Sequence, residues 1–204
     1  MAFSELSATE TNEVIRKIKD YRMMQSRDQF EESYKLIGTD PAAWLEQALG
    51  MKIAADPVLE SLMALLCNSG NKIDVRLKKI AYVRAYMLLM GYAFENIIKA
   101  IAAKRGLLAM NPNLGFDKSF KQEKGGHGLS AAAGSLDLDM SASEQAYLRR
   151  LEEYLHWAGR YPVSLKRGTY VDGHSERHLT FISSDPQLGD ALFHRWADLI
   201  ENAT

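Results

Sequence analysis

The chain has 204 residues, of which 47% are hydrophobic and 25% are charged, with 25 lysines and arginines against 26 aspartates and glutamates. This length and composition are typical of one globular domain. The near-zero net charge excludes a protein that holds nucleic acid by overall positive charge, so any such contact has to be local. The lone cysteine, Cys67, excludes an internal disulfide framework and a zinc site built from several thiolates, and it favours a cytoplasmic location.

The sequence predicts neither a secretory signal nor a membrane span. The N-terminus lacks a basic region followed by an apolar one. The longest apolar run, residues 85–94, is about half of the roughly 20 residues that a bilayer span needs.

Residues 8–70 are predicted to form the N-terminal helices. Capping-box spacing and helical apolar spacing predict a helix from near Thr9 towards Gly38. An aspartate followed by proline is typical of a helix start, and two short helices are therefore expected, which begin at Asp40-Pro41 and Asp56-Pro57 and close at Gly50 and Gly70.

Residues 72–158 are predicted to form the core of a helical bundle. An apolar stripe at helical spacing predicts a central helix from Ile73 to about Arg105, with a kink near Gly91. Glycines then predict a long loop over 107–141, with room for one short helix around 129–133.

The C-terminal part is predicted to contain two helices with a hairpin between them. A helix is expected to open at Ser141 or Ser143 and end at Gly159. Residues 163–184 lose the helical period and predict a small β-hairpin that turns at Asp172-Gly173. Asp185-Pro186 then predicts a last helix over 185–203. The expected fold is a single all-α domain over 1–204, an up-and-down helical bundle with a long glycine-rich loop and this hairpin.

Three segments in order resemble the core of HEPN-like helical bundles: GYAFENIIKAIAAKRG, GHGLSAAA and YLRRLEEYLHWAGRYPV. The resemblance covers about residues 75–165. Ala93, Glu95 and Lys99 take the places of an A-x-E-x-x-x-K helix, and His127-Gly128-Leu129 take those of a G-H-x-L loop. The resemblance implies a bundle of four or five helices, often dimeric, that acts as a ribonuclease toxin, as an RNA or nucleotide binder, or as an inert accessory domain.

Nucleases of that family carry an arginine and a histidine with four to six residues between them, which implies Arg149 or Arg150 with His156. A separation of seven positions returns to nearly the same helix face, so the face is shared by Arg149 and His156. In metal-independent cleavage His156 would transfer a proton and Arg149 would stabilise the charged phosphorane. The alternative is a solvated helix face for Arg149 and a half-buried packing position for His156.

Other candidate ligand-binding residues lie near glycines and aromatic side chains. Lys124 and His127 belong to a glycine-rich loop that can meet an anion, or His127 only tethers the loop to the bundle. Arg160 and Tyr161 suit a phosphate and a base; the structural alternative is a helix end at Gly159, with Arg160 paired to a buried carboxylate such as Glu95.

Two further pairs of side chains have helical spacing. Glu95 and Lys99 form either an exposed ion pair or, if buried, part of a polar cluster within the bundle. His174 and His178 would share one face of a helix as zinc ligands, but the predicted hairpin disfavours that site.

The function predicted from these residues is RNA or nucleotide binding in a HEPN-like protein, extending to metal-independent ribonuclease activity in a defence or stress system. The alternative is a non-catalytic helical dimer that acts as a protein-interaction module. We predict no metal and no cofactor, a homodimer, no membrane association, and a cognate protein as a further partner.

Overall fold

The computed structural model describes residues 27–67, 73–108, 128–162, 164, 166–175 and 179–201. The chain divides into two units, Met1–Gly38 and Thr39–Thr204. The described part of the first unit belongs to helix α1 (Arg27–Thr39), which is amphipathic. The helix expected from near Thr9 begins outside the described residues, and the stretch towards Gly38 is helical as predicted.

The second unit is built from helices, and no strand occurs in the described residues. Its elements are α2 (Pro41–Cys67), α3 (Ile73–Lys104), α4 (Leu129–Ser135), α5 (Ala142–Glu153), a π-turn (Tyr154–Ala158), α6 (Arg167–Ser175) and α7 (Asp185–Glu201). The predicted all-α helical bundle is therefore confirmed, whereas the expected division of 1–204 as one domain stays a prediction.

Helix α2 is one long helix, so the prediction of two short helices is wrong. Its N-terminus is capped by Asp40, whose carboxylate accepts a hydrogen bond of 2.9 Å from the Ala42 amide. Pro57 lies inside the helix on its exposed side, where the Ile53 carbonyl that loses its bonding partner faces water. Burial of four apolar residues on the opposite side, against α3, outweighs these local signals for a break; they are Leu45, Ala48, Ala55 and Leu62.

The C-terminal half of α3 is the centre of the core. Phe94 is fully buried, and the rings of Tyr147, Phe193 and Trp196 meet it edge to face at centroid distances of 5.6–5.9 Å. Helix α3 ends at Lys104, close to the predicted end at about Arg105, and Gly106 follows with a φ of 70° that suits glycine. No residue of α3 before Tyr86 is buried.

Helix α3 and the π-turn approach each other closely at Gly91. A Cβ atom at Gly91 would lie 2.7 Å from Cγ of Leu155, which is itself fully buried. Gly91 thus has a packing role, because only a residue without a side chain leaves room for the Leu155 side chain against the α3 backbone.

Buried polar contacts join α5 to the start of α7. The Arg150 guanidinium pairs with the Asp185 carboxylate, and both side chains are nearly inaccessible to solvent. Asp185 also accepts a hydrogen bond of 2.9 Å from the Ile182 amide, which precedes the helix. Helix α7 begins at Asp185, as predicted. The expected start of α5 is confirmed as well, because Ser141 and Glu144 form a capping box.

Helix α6 replaces the predicted β-hairpin over 163–184, so that part of the predicted fold is wrong. The expected turn residues Asp172 and Gly173 lie inside this helix. A Cβ at Gly173 would lie 3.3 Å from Glu153 Oε2, and Tyr170 and His174, one helical turn apart, both face the Trp157 ring. These contacts come from distant parts of the chain and favour a helix over the local turn signal.

Substitution of Gly91 tests the close approach of α3 to the π-turn. We expect Gly91→Ala to lower the free energy of unfolding by about 1–3 kcal/mol, because the new methyl group overpacks the core against Leu155. Gly50→Ala is the matched control, since no atom lies within 4 Å of the added carbon; it should stabilise the helix by about 0.5–1 kcal/mol. Urea unfolding measures both, and equal effects of the two substitutions would contradict the packing role.

Substitution of Glu144 tests the capping box through its pH dependence. Burial raises the pKa of Glu144, but hydrogen bonds from Arg195 and Ser141 outweigh burial and lower it below 4.5. A lowered carboxyl pKa stabilises the fold above the unfolded pKa, and this stabilisation is lost as pH falls through the folded pKa. We expect Glu144→Gln to lower stability by about 1 kcal/mol at pH 7, and we expect its difference from the wild type to shrink as the pH falls from 5 towards about 3. Urea midpoints at both pH values test this, with the exposed Glu46→Gln as control; a difference that persists at low pH would contradict it.

Candidate functional site

The candidate site is a cleft of about 470 Å³ in the second unit. Its walls come from residues 79–84 in the N-terminal half of α3, the π-turn, Pro162, α6 and residues 179–181. Most of the residues that line the cleft are aromatic or cationic: Lys79, Arg84, Tyr154, Trp157, Tyr170, His174 and Phe181. Such a combination suits a planar, anionic ligand.

The π-turn brings Tyr154 and Trp157 to the cleft. The Gly159 amide donates a hydrogen bond of 3.1 Å to the Tyr154 carbonyl, five residues back. A Cβ at Gly159 would lie 2.8 Å from that carbonyl oxygen and 3.0 Å from Leu88 Cδ1, so the wide turn closes at a glycine. Turns of this type are frequent at functional sites.

Three rings form an aromatic platform, which we define as Trp157, Tyr170 and His174. The ring centroids of Tyr170 and His174 are 4.5 Å apart, and those of Trp157 and Tyr170 are 5.6 Å apart. Trp157 is buried and its indole N–H donates to Glu153 Oε2 at 2.8 Å, while His174 is exposed. The platform thus has an anchored end and an accessible end.

Arg84 supplies positive charge to the buried side of the cleft. Burial raises the pKa of Tyr154 to about 12, and the positive charge of Arg84, which lines the same cleft, opposes that rise. Arg84 is half-buried, and no carboxylate pairs with it in the part of the chain that the structure describes. The Tyr154 hydroxyl donates to the Leu179 carbonyl at 3.0 Å. A half-buried arginine beside aromatic rings is well suited to an anionic group.

The predicted catalytic pair, Arg149 and His156, does not line this cleft. Arg149 is exposed on α5, and His156 is half-buried within the π-turn. The expectation of a shared face used regular α-helical spacing, whereas a π-turn advances the chain by a smaller angle for each residue. The neighbouring Arg150 is the buried arginine, and its partner is Asp185.

The candidate binding residues Arg160 and Tyr161 lie beside the cleft and are exposed. The Arg160 guanidinium donates to the Leu155 carbonyl at 3.0 Å and to the His156 carbonyl at 2.9 Å. It lies 5.4 Å from the centre of the Tyr161 ring. Arg160 therefore caps the helix end, where carbonyl groups lack partners within the helix.

Glu95 and Lys99 form an ion pair of 2.6 Å away from the cleft. Glu95 is 8% exposed and Lys99 is half-buried, so the pair is not on the open surface, whereas the expected polar cluster around it stays a prediction. The Lys99 ammonium also lies 5.1 Å from the Trp44 ring centre. Lys124 and His127, the remaining candidates, lie outside the described residues, as does His178.

The described residues contain neither a candidate metal site nor a candidate membrane-spanning helix. No group of three or more His, Cys, Asp or Glu side chains in these ranges is placed to hold a metal ion. Within the same ranges no helix combines the length and the apolar character needed to cross a bilayer.

Sequence reasoning missed Arg84 and misplaced His174. Arg84 has no local feature that separates it from other arginines, since its burial depends on the cleft. The spacing of Tyr170 and His174 was a usable signal, because residues four apart share a helix face, but the predicted hairpin concealed it.

Removal of the Trp157 indole N–H tests how the platform is anchored. Trp157→Phe leaves the Glu153 carboxylate, on a residue only 5% exposed, without its hydrogen-bond donor. We expect this substitution to lower the free energy of unfolding by about 1–3 kcal/mol. The double variant Trp157→Phe/Glu153→Met removes both partners and should be the more stable of the two, as urea unfolding will show. An additive loss in the double variant would contradict this coupling.

Comparison with known proteins identifies no relative of this chain. No family model, no curated protein and no solved structure matches the chain. The HEPN-like resemblance therefore stays a prediction, and the site has to be judged from its own residues.

Proposed function

We propose that the chain binds a nucleotide or a short stretch of RNA in the cleft. The observation that carries the proposal is Arg84, half-buried beside the aromatic platform with no carboxylate paired to it in the described ranges. A phosphate would neutralise this guanidinium, and a base would stack on the exposed end of the platform at His174 and Tyr170. Lys79 at the rim adds a second cation.

The neutral overall charge agrees with a small ligand or a short RNA segment. With 25 basic against 26 acidic residues, attraction for nucleic acid has to come from a local group of cations. Arg84 and Lys79 provide such a group at the cleft, and Lys166 and Arg167 lie at the start of the neighbouring helix α6. The HEPN-like resemblance, itself a proposal, points to the same class of ligand.

Metal-independent RNA cleavage is the catalytic form of this proposal. It needs a histidine near the scissile phosphate, and two imidazoles are candidates: His156 of the resemblance and His174 in the cleft. The lining of the cleft by His174 together with Arg84 favours His174. The alternative is a non-catalytic helical dimer that acts as a protein-interaction module. Ile73 and Leu77 of α3, which are 74% and 60% exposed, supply apolar surface for a protein contact without favouring a dimer.

Ligand titration with an arginine variant tests the proposed function. We expect labelled RNA of about ten nucleotides, or a fluorescent ATP analogue, to bind saturably, and Arg84→Ala to raise Kd at least about tenfold, because a charge-assisted hydrogen bond contributes about 1.5–3 kcal/mol. Arg149→Ala is the matched control, since Arg149 is exposed and outside the cleft. Fluorescence anisotropy at several salt concentrations measures both.

The outcomes of this titration are distinct. Loss of binding with Arg149→Ala but not with Arg84→Ala would contradict the cleft and favour the arginine–histidine pair of the resemblance. An absence of binding at tens of micromolar would contradict the function itself. In a parallel assay without metal, cleavage that is lost with His174→Ala and kept with His156→Ala would place the catalytic histidine in the cleft.

A further inference from the structure

The cleft is open at one end of its α3 wall and closed at the other. The residues of α3 that line it are, in chain order, Lys79, Ile80, Val83 and Arg84. Ile80 is 42% exposed, whereas Arg84 is half-buried. One turn beyond Arg84 on the same face lies Leu88, and a Cβ added at Gly159 would be 3.0 Å from Leu88 Cδ1. That part of α3 is covered, so Arg84 is the last residue of this wall before the cleft closes.

Two contacts of buried tyrosines tie the opposite wall to the inner side of the cleft. The Tyr86 ring, two residues after Arg84, meets the Phe181 ring edge to face at a centroid distance of 6.0 Å. The Tyr154 hydroxyl donates a hydrogen bond of 3.0 Å to the Leu179 carbonyl. Both tyrosines are buried, and these contacts join α3 and the π-turn to residues 179–181. A ligand that reaches Arg84 therefore has to enter from the exposed rim.

The charge of the cleft lining is positive. No carboxylate occurs among the described residues that line it, whereas Arg84 does. The buried carboxylates nearby in the chain have partners of their own: Glu153 accepts the Trp157 indole N–H, and Asp185 pairs with Arg150. Side chains of a helix tilt towards its N-terminus, so the Arg84 side chain extends from the closed end back into the cleft. An anionic group is thus favoured at the inner end.

Such a cleft distinguishes the end of a nucleotide chain from its interior. An internal phosphodiester has a nucleoside on each side and needs a groove that is open in both directions, whereas a terminal phosphate has a nucleoside on one side only. A terminal phosphomonoester also carries a charge of about −1.5 to −2 at pH 7, and it presents three free oxygens to a guanidinium. Both properties fit a closed, positively charged end.

We propose that the cleft binds the phosphorylated end of a nucleotide or RNA chain, with the terminal phosphomonoester on Arg84 and the attached nucleoside on the aromatic platform. This binding mode rests on the proposed function and narrows its ligand class to terminal phosphates. The volume of about 470 Å³ is that of a small-molecule pocket, so only the end of a longer RNA lies inside. The remaining nucleotides extend outwards past the exposed His174.

Calorimetric titration with RNAs that differ at their ends tests this binding mode. The probes are an RNA of about four nucleotides with a 5′-phosphate, with a 3′-phosphate, or with hydroxyl groups at both ends, at about pH 7.5, where a phosphomonoester is mostly doubly ionised. A hydroxyl-ended RNA longer by two nucleotides carries the same added charge on internal phosphates and is the matched control ligand. We expect a phosphorylated form to bind at least about tenfold more tightly than this control. The two phosphorylated forms identify which end enters.

Two protein variants locate this preference. Arg84→Gln removes the positive charge and should lower the ratio of the two Kd values from at least about tenfold to about one. Arg149→Gln is the matched control and should keep the ratio, because Arg149 is exposed and lies outside the cleft. Urea midpoints show whether both variants stay folded, and the comparison of RNAs on the unsubstituted protein does not depend on them.

The outcomes distinguish a failure of this binding mode from a failure of the proposed function. Equal Kd values for the phosphorylated RNAs and the charge-matched control, all raised by Arg84→Gln, would overturn the binding of an end and leave an internal phosphate in the cleft. A preference for phosphorylated ends that survives Arg84→Gln would also overturn it, because the phosphate would then bind elsewhere. Absence of binding by every RNA and by nucleoside monophosphates would contradict the proposed function itself.

Discussion

The close approach of α3 to the π-turn is the constraint on which the described architecture of the second unit depends. At Gly91 no side chain separates the α3 backbone from Leu155, and at Gly159 the turn meets Leu88 with similarly little space. Two glycines far apart in sequence therefore set the distance between these elements. That distance fixes where Trp157 lies relative to Arg84, and it determines where the covered part of α3 ends.

Two different surfaces meet where that contact ends. On one side the helices diverge into a cleft with aromatic and cationic walls, and on the other the apolar residues Ile73 and Leu77 of α3 are exposed. Ile80, which is 42% exposed, belongs to both surfaces because it also lines the cleft.

The elements that the sequence predicts correctly are those whose signals are local. Ser141 caps its helix by accepting a hydrogen bond from the Glu144 amide three positions on, and Asp185-Pro186 marks the start of α7; both signals can be recognised in the sequence alone. The unbroken α2 and the helix α6 depend on contacts with distant residues, including Gly173 against Glu153, and these override the local turn signals. The candidate site was hidden for the same reason, because Arg84 and His174 gain their surroundings only in the folded chain.

The π-turn also limits how this region of the sequence can change. A π-turn contains one residue more than an ordinary turn of α-helix, so its geometry depends on its exact length. Loss of one residue between Tyr154 and Ala158 would leave the hydrogen bonds of α5 in place yet rotate everything that follows relative to α3. The hydrogen bond from Trp157 to the Glu153 carboxylate and the contact between Gly159 and Leu88 would be lost at the same time. A substitution changes one side chain of the cleft, whereas an insertion or deletion in this turn would displace both Tyr154 and Trp157 from the cleft wall.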